Sequence, residues 1–244
     1  RNCAGIVFVS RQFQREVQAH FGTLAQSIVS PNAVDISQFS PTQTERDRVR
    51  HELGLADRVV CGYIGAFVHW HGIDWFVREA VDVMTREPML TLLLVGDGRL
   101  YDEIRVLVAE KGASDRIRLT GRVPHDEVVS LIAAMDFAVL PDSNTYGSPM
   151  KLFELMAMEV AVVAPDFDPV CEVTKDNQTG WLFPAKDRRA CVERVLGVAS
   201  QRDVQKRVGK AAREYIVSHR QWKNNVEQML DLYEQVRGDN RGGA

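Results

Sequence analysis

The stretch that decides the fold class is Leu90 to Gly98, which reads LTLLLVGDG. Leu90 to Val95 is apolar on successive positions rather than on alternate ones, which is typical of a strand covered on both faces by helices. Gly96 and Gly98 then permit a tight turn, and a helix is expected to open at Arg99. The stretch therefore predicts one strand–turn–helix unit of an α/β protein.

Apolar runs on either side of this stretch repeat the pattern. The further candidate strands are Val59 to Ala66, Arg116 to Thr120, Phe137 to Leu140 and Val160 to Ala164, with helices near 72–84, 98–111, 124–134 and 149–158. This alternation predicts a doubly wound, Rossmann-like parallel sheet. Such sheets bind ligands beyond the carboxyl ends of their strands, so function is expected in the loops after Gly65, Val95, Thr120, Pro141 and Pro165.

The two ends of the chain differ from this middle part. Residues 1–30 predict a strand at Ala4 to Val9, a helix near 11–20 and a second strand at Gln26 to Val29, and a linker follows around Pro31 and Pro41. A long final helix from 221 carries one apolar stripe, formed by Trp222, Val226, Met229, Tyr233 and Val236. We therefore divide the chain into 1–30, 31–220 and 221–244.

Composition excludes several classes of protein. The 244 residues are 45% hydrophobic and 26% charged, as in an ordinary globular protein, and the net charge of -3 disfavours a nucleic-acid partner. No apolar run reaches the roughly 18 residues of a membrane span. The four cysteines show no Cys-x-x-Cys spacing, which argues against a zinc site or a disulfide framework and fits a cytoplasmic protein. Because Arg1 is followed at once by a strand, we expect the chain to be part of a longer one.

The segment Tyr146 to Glu154, YGSPMKLFE, opens a predicted helix after a strand. Ser148 is suited to the N-cap and Pro149 to the first helical position. Lys151 then lies in the first turn, where the helix dipole disfavours a cation, and a bound anion would remove that conflict.

Lys151 and Glu154 share one face of this helix because they are three residues apart. In a functional interpretation, Lys151 and the exposed helix amides face a diphosphate while Glu154 accepts hydrogen bonds from ribose hydroxyls. The alternative is an ordinary lysine–glutamate pair on the surface of a capped helix.

Three other loops carry polar or glycine-rich sequences. Gly96 and Gly98 form either a phosphate-binding turn or simply a turn, and the missing Gly-x-Gly-x-x-Gly pattern argues against a dinucleotide-dependent oxidoreductase. His69 and His71 lack a third metal ligand, so His71 either lies beside a phosphate or fills the loop. Arg122 could reach a phosphate or a base edge, or, as a lone arginine in a turn, it could be solvated or pair with an acid such as Glu127. No nucleophile elbow surrounds Ser148, which disfavours a hydrolase.

The order of these motifs resembles that of the retaining GT-B glycosyltransferases of family four, a large bacterial group that builds polysaccharides and glycolipids. The matching segments are Val29 to Asp35 ahead of Phe39, Gly65 to Asp74, Val95 to Gly98, Gly121 to Pro124, Tyr146 to Glu154 with Ala157 and Val162 to Ala164, and Thr179 to Phe183. Together they cover nearly the whole chain. The resemblance implies that the sheet is the C-terminal, donor-binding domain of a GT-B fold.

The resemblance also assigns roles to residues. Glu154 matches the glutamate that binds the donor ribose, whereas the family's other motif glutamate falls on Tyr146 and its arginine and lysine fall on Ala66 and His71. Lys151, with His71 and helix amides, would therefore stabilise the departing diphosphate. The candidate catalytic residues are Lys151, Glu154 and His71. The candidate donor-binding residues are Gly65, Ala66, Gly96, Gly98, Arg122, Val123, Tyr146, Gly147, Ser148, Met150, Lys151, Leu152 and Glu154.

The function implied by the resemblance is transfer of a sugar, with retention, from a UDP- or GDP-linked donor to a hydroxyl, without a metal or other cofactor. The acceptor, a saccharide or lipid-linked saccharide, would be bound by an N-terminal domain of which residues 1–30 resemble the tail. The final helix would pack back on that domain, and the full-length enzyme could associate peripherally with a membrane. The chain by itself would bind nucleotide but transfer sugar poorly. The alternative is a catalytically decayed nucleotide-binding or regulatory module, which the departures at Tyr146, Ala66 and His71 favour.

Overall fold

A computed structural model describes residues 3–22, 24 and 26–239. The strands are β1 (Gly5–Phe8), β2 (Gln26–Val29), β3 (Val59–Ile64), β4 (Leu90–Val95), β5 (Ile117–Gly121), β6 (Phe137–Val139), β7 (Val162–Pro165) and β8 (Trp181–Phe183). The helices are α1 (Arg11–Phe21), α2 (Gln43–Glu52), α3 (Ile73–Val83), α4 (Tyr101–Glu110), α5 (His125–Ala133), α6 (Met150–Ala157), α7 (Asp168–Cys171), α8 (Arg188–Ala199), α9 (Arg202–His219) and α10 (Trp222–Asp239).

Strands β3 to β8 form one parallel sheet in the order β5-β4-β3-β6-β7-β8. Every residue of β3 and of β4 is buried, which is the consequence of helices on both faces of the sheet. The chain leaves β3 for one side of the sheet and returns to add β6 on the other side. This change of direction opens a crevice beyond the carboxyl ends of β3 and β6, where doubly wound proteins bind ligands. The predicted doubly wound sheet is confirmed.

A second, two-stranded parallel sheet is formed by β1 and β2. Helix α10 packs on it, and the side chains of Leu232 and Val236 lie within 3.4 Å of the point that a methyl group on Gly5 would occupy. The segment after β2 runs beside the junction of α9 and α10, where the Val34 amide donates to the Arg220 carbonyl at 3.0 Å. The first thirty residues and the last helix therefore pack together.

At the amino ends of the sheet strands, buried and half-buried charged side chains form ion pairs. The Asp136 carboxylate, just before β6, accepts hydrogen bonds from the Val60 amide at 2.7 Å and from Arg50 at 3.1 Å, and it also pairs with Arg46. Arg50 additionally donates to the carbonyls of Ala134 and Arg58. These bonds attach α2 to the edge of the sheet that lies opposite the crevice.

The boundaries of the elements differ from the predicted ones by up to three residues. Strand β3 ends at Ile64 rather than Ala66, because Gly65 turns the chain with a φ of 138°. The helix expected to open at Arg99 begins at Tyr101, after a further glycine with positive φ at Gly98. Helices α2, α7, α8 and α9 were not predicted from the sequence.

Candidate functional site

The loops after β3 and β4 lie against each other at the carboxyl edge of the sheet. The Phe67 amide donates to the Asp97 carbonyl at 2.9 Å, and the Leu100 amide donates to the Phe67 carbonyl at 3.1 Å. A methyl group on Gly96 would overlap the Gly65 carbonyl, and one on Gly98 would lie 2.6 Å from the Phe67 oxygen. Glycine is therefore required at both positions for the two loops to approach.

Helix α6 begins at Met150, one residue later than predicted, and Ser148 is not its N-cap. Pro149 occupies the cap position with an extended backbone, and no side chain caps the helix. The Ser148 hydroxyl instead accepts a hydrogen bond from the Asn32 amide at 3.0 Å. Within the described part of the chain, the amides of Met150 and Lys151 therefore have no hydrogen-bond partner, whereas the Leu152 amide donates to the Pro149 carbonyl at 3.0 Å.

Lys151 extends from the first turn of α6 toward the loop after β3. Its Nζ atom is inaccessible to solvent and has no hydrogen-bond partner among the described residues. It lies 5.1 Å from the centre of the Tyr63 ring and only 2.7 Å from where a methyl group on Gly65 would be. Burial lowers the pKa of Lys151 to about 8, although the nearby Glu154 carboxylate raises it in part.

Glu154 lies one turn further along α6 and lines a cleft of about 440 Å³. The other walls of this cleft are the two glycine loops and the start of α5, including Arg122 and His125. Burial raises the pKa of Glu154, and this effect is partly opposed by His125 and by Lys151. The cleft thus places a carboxylate and a buried cation on neighbouring turns of one helix.

His71 lies in the loop after β3 and lines a second cleft of about 350 Å³. Its Nδ1 lies 2.8 Å from the Ala66 carbonyl oxygen, which only accepts, so Nδ1 carries the proton. The Tyr63 hydroxyl donates to the same oxygen at 2.8 Å. Burial lowers the pKa of His71, and the positive charge of Lys151 lowers it further. The contact with Ala66 therefore orients the His71 ring, and burial and the charge of Lys151 both favour its neutral form.

Most of the predicted site residues come together in these two clefts. The first cleft is lined by Gly65, Ala66, Gly96, Gly98, Arg122, Val123, Lys151 and Glu154. The second is lined by His71, Met150, Lys151 and Glu154. Only Lys151 and Glu154 of the predicted residues line both, so the two clefts meet at α6. Their roles in binding stay predictions.

Four predicted residues lie outside both clefts. The Tyr146 carbonyl accepts a hydrogen bond from the Ser10 hydroxyl at 2.7 Å, and the Tyr146 ring lies 6.1 Å from that of Phe13. The Gly147 amide bonds to the Asn144 side chain. Ser148 is bonded to the linker, as described above, and Leu152 is 1% exposed in the core. These four residues do not line either cleft, because the loop before α6 faces Ser10, Phe13 and Asn32 and the Leu152 side chain is in the core. Their assignment to donor binding stays a prediction.

The sequence reading also missed residues that line the clefts, among them Asp97, His125, Asp142 and Asn144. His125 and Asp97 belong to motifs that were recognised, and their place at the carboxyl ends of β5 and β4 was a usable signal. Arg122 is exposed, and within the described chain it makes no ion pair with Glu127 or any other acid. Residues 3–22, 24 and 26–239 contain no group of three or more His, Cys, Asp or Glu side chains arranged to hold a metal ion.

The family model described as "Glycosyl transferases group 1" matches residues 58–201, which is more than half of the 244 residues. The chain belongs to this family. The matched range holds both clefts and the whole six-stranded sheet. The expected family and the GT-B type fold are confirmed.

Individual relatives extend the similarity beyond the matched range. The chain is 25% identical over 201 residues to alpha-D-kanosaminyltransferase of Streptomyces kanamyceticus, covering 80% of this chain and 52% of the relative. It is 26% identical over 243 residues to a GDP-mannose-dependent alpha-(1-6)-phosphatidylinositol monomannoside mannosyltransferase of Mycobacterium tuberculosis, covering 96% of this chain and 62% of the relative. The present chain, a group 1 glycosyltransferase, thus spans between half and two thirds of the length of each relative.

Among solved structures, Anabaena Alr3699/HepE in complex with UDP and glucose superposes with a TM-score of 0.84 at 17% identity, covering 96% of this chain and 64% of that one. At this identity the likeness concerns the fold. Among the described residues, no helix combines the length and the apolarity needed to cross a bilayer.

Proposed function

We propose that this chain is the donor-binding half of a retaining glycosyltransferase and holds a nucleotide diphosphate sugar. The observation that carries the proposal is the buried Lys151 ammonium, which lacks a hydrogen-bond partner among the described residues where the two clefts meet. A diphosphate placed there would pair with Lys151 and accept hydrogen bonds from the free amides of Met150 and Lys151 at the start of α6.

The two clefts divide the donor in this proposal. The nucleoside occupies the first cleft, where Glu154 accepts hydrogen bonds from the ribose hydroxyls and the glycines permit close approach of the backbone. The sugar occupies the second cleft, beside His71 and Asp142. The raised pKa of Glu154 is then offset in the complex, because hydroxyl donors stabilise the ionised carboxylate.

Sugar transfer breaks the bond between the anomeric carbon and a diphosphate oxygen, and a new bond forms to the acceptor hydroxyl oxygen. The electron pair of the broken bond remains on the diphosphate, and the hydroxyl proton passes to that leaving group. Lys151 and the helix amides stabilise the charge that grows there. This scheme retains the configuration at the anomeric carbon and requires no metal or other cofactor.

The nature of the substrates follows from the relatives as a proposal. The Mycobacterium tuberculosis relative is named as a GDP-mannose-dependent phosphatidylinositol monomannoside mannosyltransferase, and Anabaena HepE was crystallised with UDP and glucose. We therefore propose a UDP- or GDP-linked donor and a saccharide or lipid-linked saccharide acceptor, used in polysaccharide or glycolipid synthesis. The acceptor would be held by an N-terminal domain, and the full-length enzyme would work in the cytoplasm, peripherally at a membrane.

A calorimetric titration with UDP, GDP and the two nucleosides tests the proposal. We expect one diphosphate to bind in the micromolar range and roughly 30-fold or more tighter than its nucleoside, since an ion pair with a buried partner is of that strength. Lys151→Met should remove most of this difference, whereas Glu154→Gln should weaken nucleoside and diphosphate alike. Lys111→Met, which removes an exposed lysine from the end of α4, is the matched control and should leave both affinities unchanged.

The second candidate is a decayed module of the same fold. It is favoured by Ala66, His71 and Tyr146, which stand where the resembling enzymes carry an arginine, a lysine and a glutamate. A regulatory module whose nucleotide site has decayed predicts no heat of binding with UDP, GDP or their sugars. The same titration therefore separates the proposed donor site from this form of the second candidate.

A further inference from the structure

The segment that joins β2 to the large sheet is bonded to the loop in front of α6. The Asn32 side chain donates through Nδ2 to the Ser148 carbonyl at 2.6 Å, and the Asn32 amide donates to the Ser148 hydroxyl at 3.0 Å. One linker residue thus holds both the hydroxyl and the carbonyl of Ser148, the residue that precedes the cap of α6.

The linker is itself fixed from the opposite side. The Asn225 side chain on α10 is 5% exposed and donates to the Pro31 carbonyl at 2.8 Å. Two residues after Asn32, the Val34 amide donates to the Arg220 carbonyl at 3.0 Å. Asn32 is therefore a fixed point, and its bonds to Ser148 restrain the loop rather than the linker.

A second bond connects the first thirty residues to the same loop. The Ser10 hydroxyl is buried, accepts a hydrogen bond from the Phe13 amide at 3.1 Å and donates to the Tyr146 carbonyl at 2.7 Å. The loop, residues 142–148, has no helix or strand of its own. Its internal bonds run mainly to the Asn144 side chain.

Among the described residues, every hydrogen bond that leaves residues 142–148 goes to Ser10 or to Asn32. The direction in which the chain enters α6 is therefore set by these two residues. That direction determines where the amides of Met150 and Lys151 point, and it places the Lys151 side chain over Tyr63.

We propose that Asn32 is a positioning residue for the diphosphate: by holding Ser148 it fixes the start of α6, where the free amides and Lys151 meet the two phosphates. This inference rests on the proposed donor site at α6. It gives the linker a role in donor binding, in addition to joining β2 to the large sheet. Catalysis depends on such positioning because an error of about 1 Å weakens every contact that the helix start makes.

The test is the ratio between the dissociation constants of a nucleoside and of its diphosphate, measured by calorimetry for uridine with UDP and for guanosine with GDP. Asn32→Ala is expected to lower this ratio about three- to tenfold, the effect of one net hydrogen bond, through weaker binding of the diphosphate alone. Affinity for the nucleoside, which binds in the first cleft, should not change.

The matched control is Gln205→Ala. Gln205 is another buried side-chain amide that donates to backbone carbonyls, those of Val198 and Ala199, and it lies away from both clefts. It should lower the free energy of unfolding without changing the ratio. A ratio unchanged in a folded Asn32→Ala protein would overturn the positioning role.

Ser148 provides a second pair of variants in case Asn32→Ala does not fold. Ser148→Ala removes the acceptor for the Asn32 amide and should also lower the ratio, whereas Ser148→Thr keeps the hydroxyl and should restore it. Equal ratios in the alanine and threonine variants would contradict the inference. If the unmodified chain shows no preference for diphosphate over nucleoside, the proposed function fails and this inference fails with it. If the unmodified chain shows that preference and the variants keep the same ratio of dissociation constants, the inference alone fails.

Discussion

Two groups of buried charge lie at opposite edges of the same sheet, and they differ in whether the charges are paired. At the amino edge, Asp136 bonds to Arg46 and to Arg50, and the remaining donors of Arg50 reach backbone carbonyls. At the carboxyl edge, the Lys151 ammonium has no hydrogen-bond partner among the described residues. The first arrangement is complete within the protein, whereas the proposed diphosphate would complete the second.

The types of residue match this difference. Burial lowers the pKa of both Arg50 and Lys151, and a nearby carboxylate opposes the effect in each case, Asp136 for Arg50 and Glu154 for Lys151. An arginine stays charged in a protein interior and so requires a permanent partner. A lysine can lose its proton, which makes an empty site tolerable and lets the charge return when a ligand arrives. The unpaired, buried Lys151 ammonium therefore supports the proposed role in binding an anion.

The largest effect is expected from breaking the complete group. Asp136→Ala leaves Arg46 and Arg50 without their acid and the Val60 amide without its acceptor, so it should lower the free energy of unfolding by about 3–5 kcal/mol. Denaturant titration measures the change. Lys111 and Asp82 form an exposed pair on α4 and α3, and Asp82→Ala should leave stability unchanged. Equal effects of the two changes would mean that burial does not distinguish the pairs.

At the carboxyl edge we expect a substitution to raise the free energy of unfolding rather than lower it. Lys151→Met replaces a buried, unpaired ammonium by an apolar side chain of similar length and should raise the free energy of unfolding by about 1–3 kcal/mol near neutral pH. The sign follows from the pKa of Lys151, which is about 8 in the folded chain against the ordinary lysine value of 10.5. Below about 8 both states carry the charge, and the folded state bears the cost of burying it.

This gain in stability should depend on pH. As the pH rises from about 8 toward 10.5, the folded state loses the proton before the unfolded state does, so the unmodified chain becomes more stable and the advantage of Lys151→Met shrinks. Thermal unfolding at a series of pH values measures both. A methionine variant that is less stable than the unmodified chain at neutral pH would show that Lys151 serves the fold.

The fold could be predicted from the sequence because its signals are local. Leu90 to Val95 predicts a strand that is covered on both faces, and the glycines after it predict a turn. The structure confirms both. Helix α2 was not predicted, since it buries Arg50 and only one apolar residue, and the partner of Arg50 is Asp136, 86 residues away. Sequence patterns do not report such a distant pairing.

The candidate site divides in the same way. Lys151 and Glu154 were singled out by their spacing and by the unfavourable position of a cation in a first helical turn, both local signals. Ser148 was misassigned as a cap because the alternative partner of its hydroxyl is the Asn32 amide, 116 residues away. The sequence showed that this serine would be bonded near the helix start, but not to which group.

The smallest effect concerns pH and the affinity for the ligand. The ammonium form of Lys151 is the form that pairs with an anion, so binding a diphosphate raises the pKa of Lys151 above about 8 and takes up a proton. Affinity for UDP or GDP is then complete below this pKa and is lost as the pH rises through it. Between about pH 7.5 and about pH 9 we expect a decrease of roughly fivefold to tenfold.

The phosphates of the ligand do not produce this decrease, because the last ionisation of a phosphate lies near a pKa of about 6 and is complete over the whole range. Calorimetry in two buffers of different ionisation enthalpy measures the proton uptake directly, and Lys151→Met should show neither the uptake nor the pH dependence. A flat affinity profile for the unmodified chain would mean that the phosphates bind away from Lys151. The carboxyl edge would then hold an unpaired buried charge that no ligand neutralises, and its contrast with the paired charges around Asp136 would lose its functional meaning.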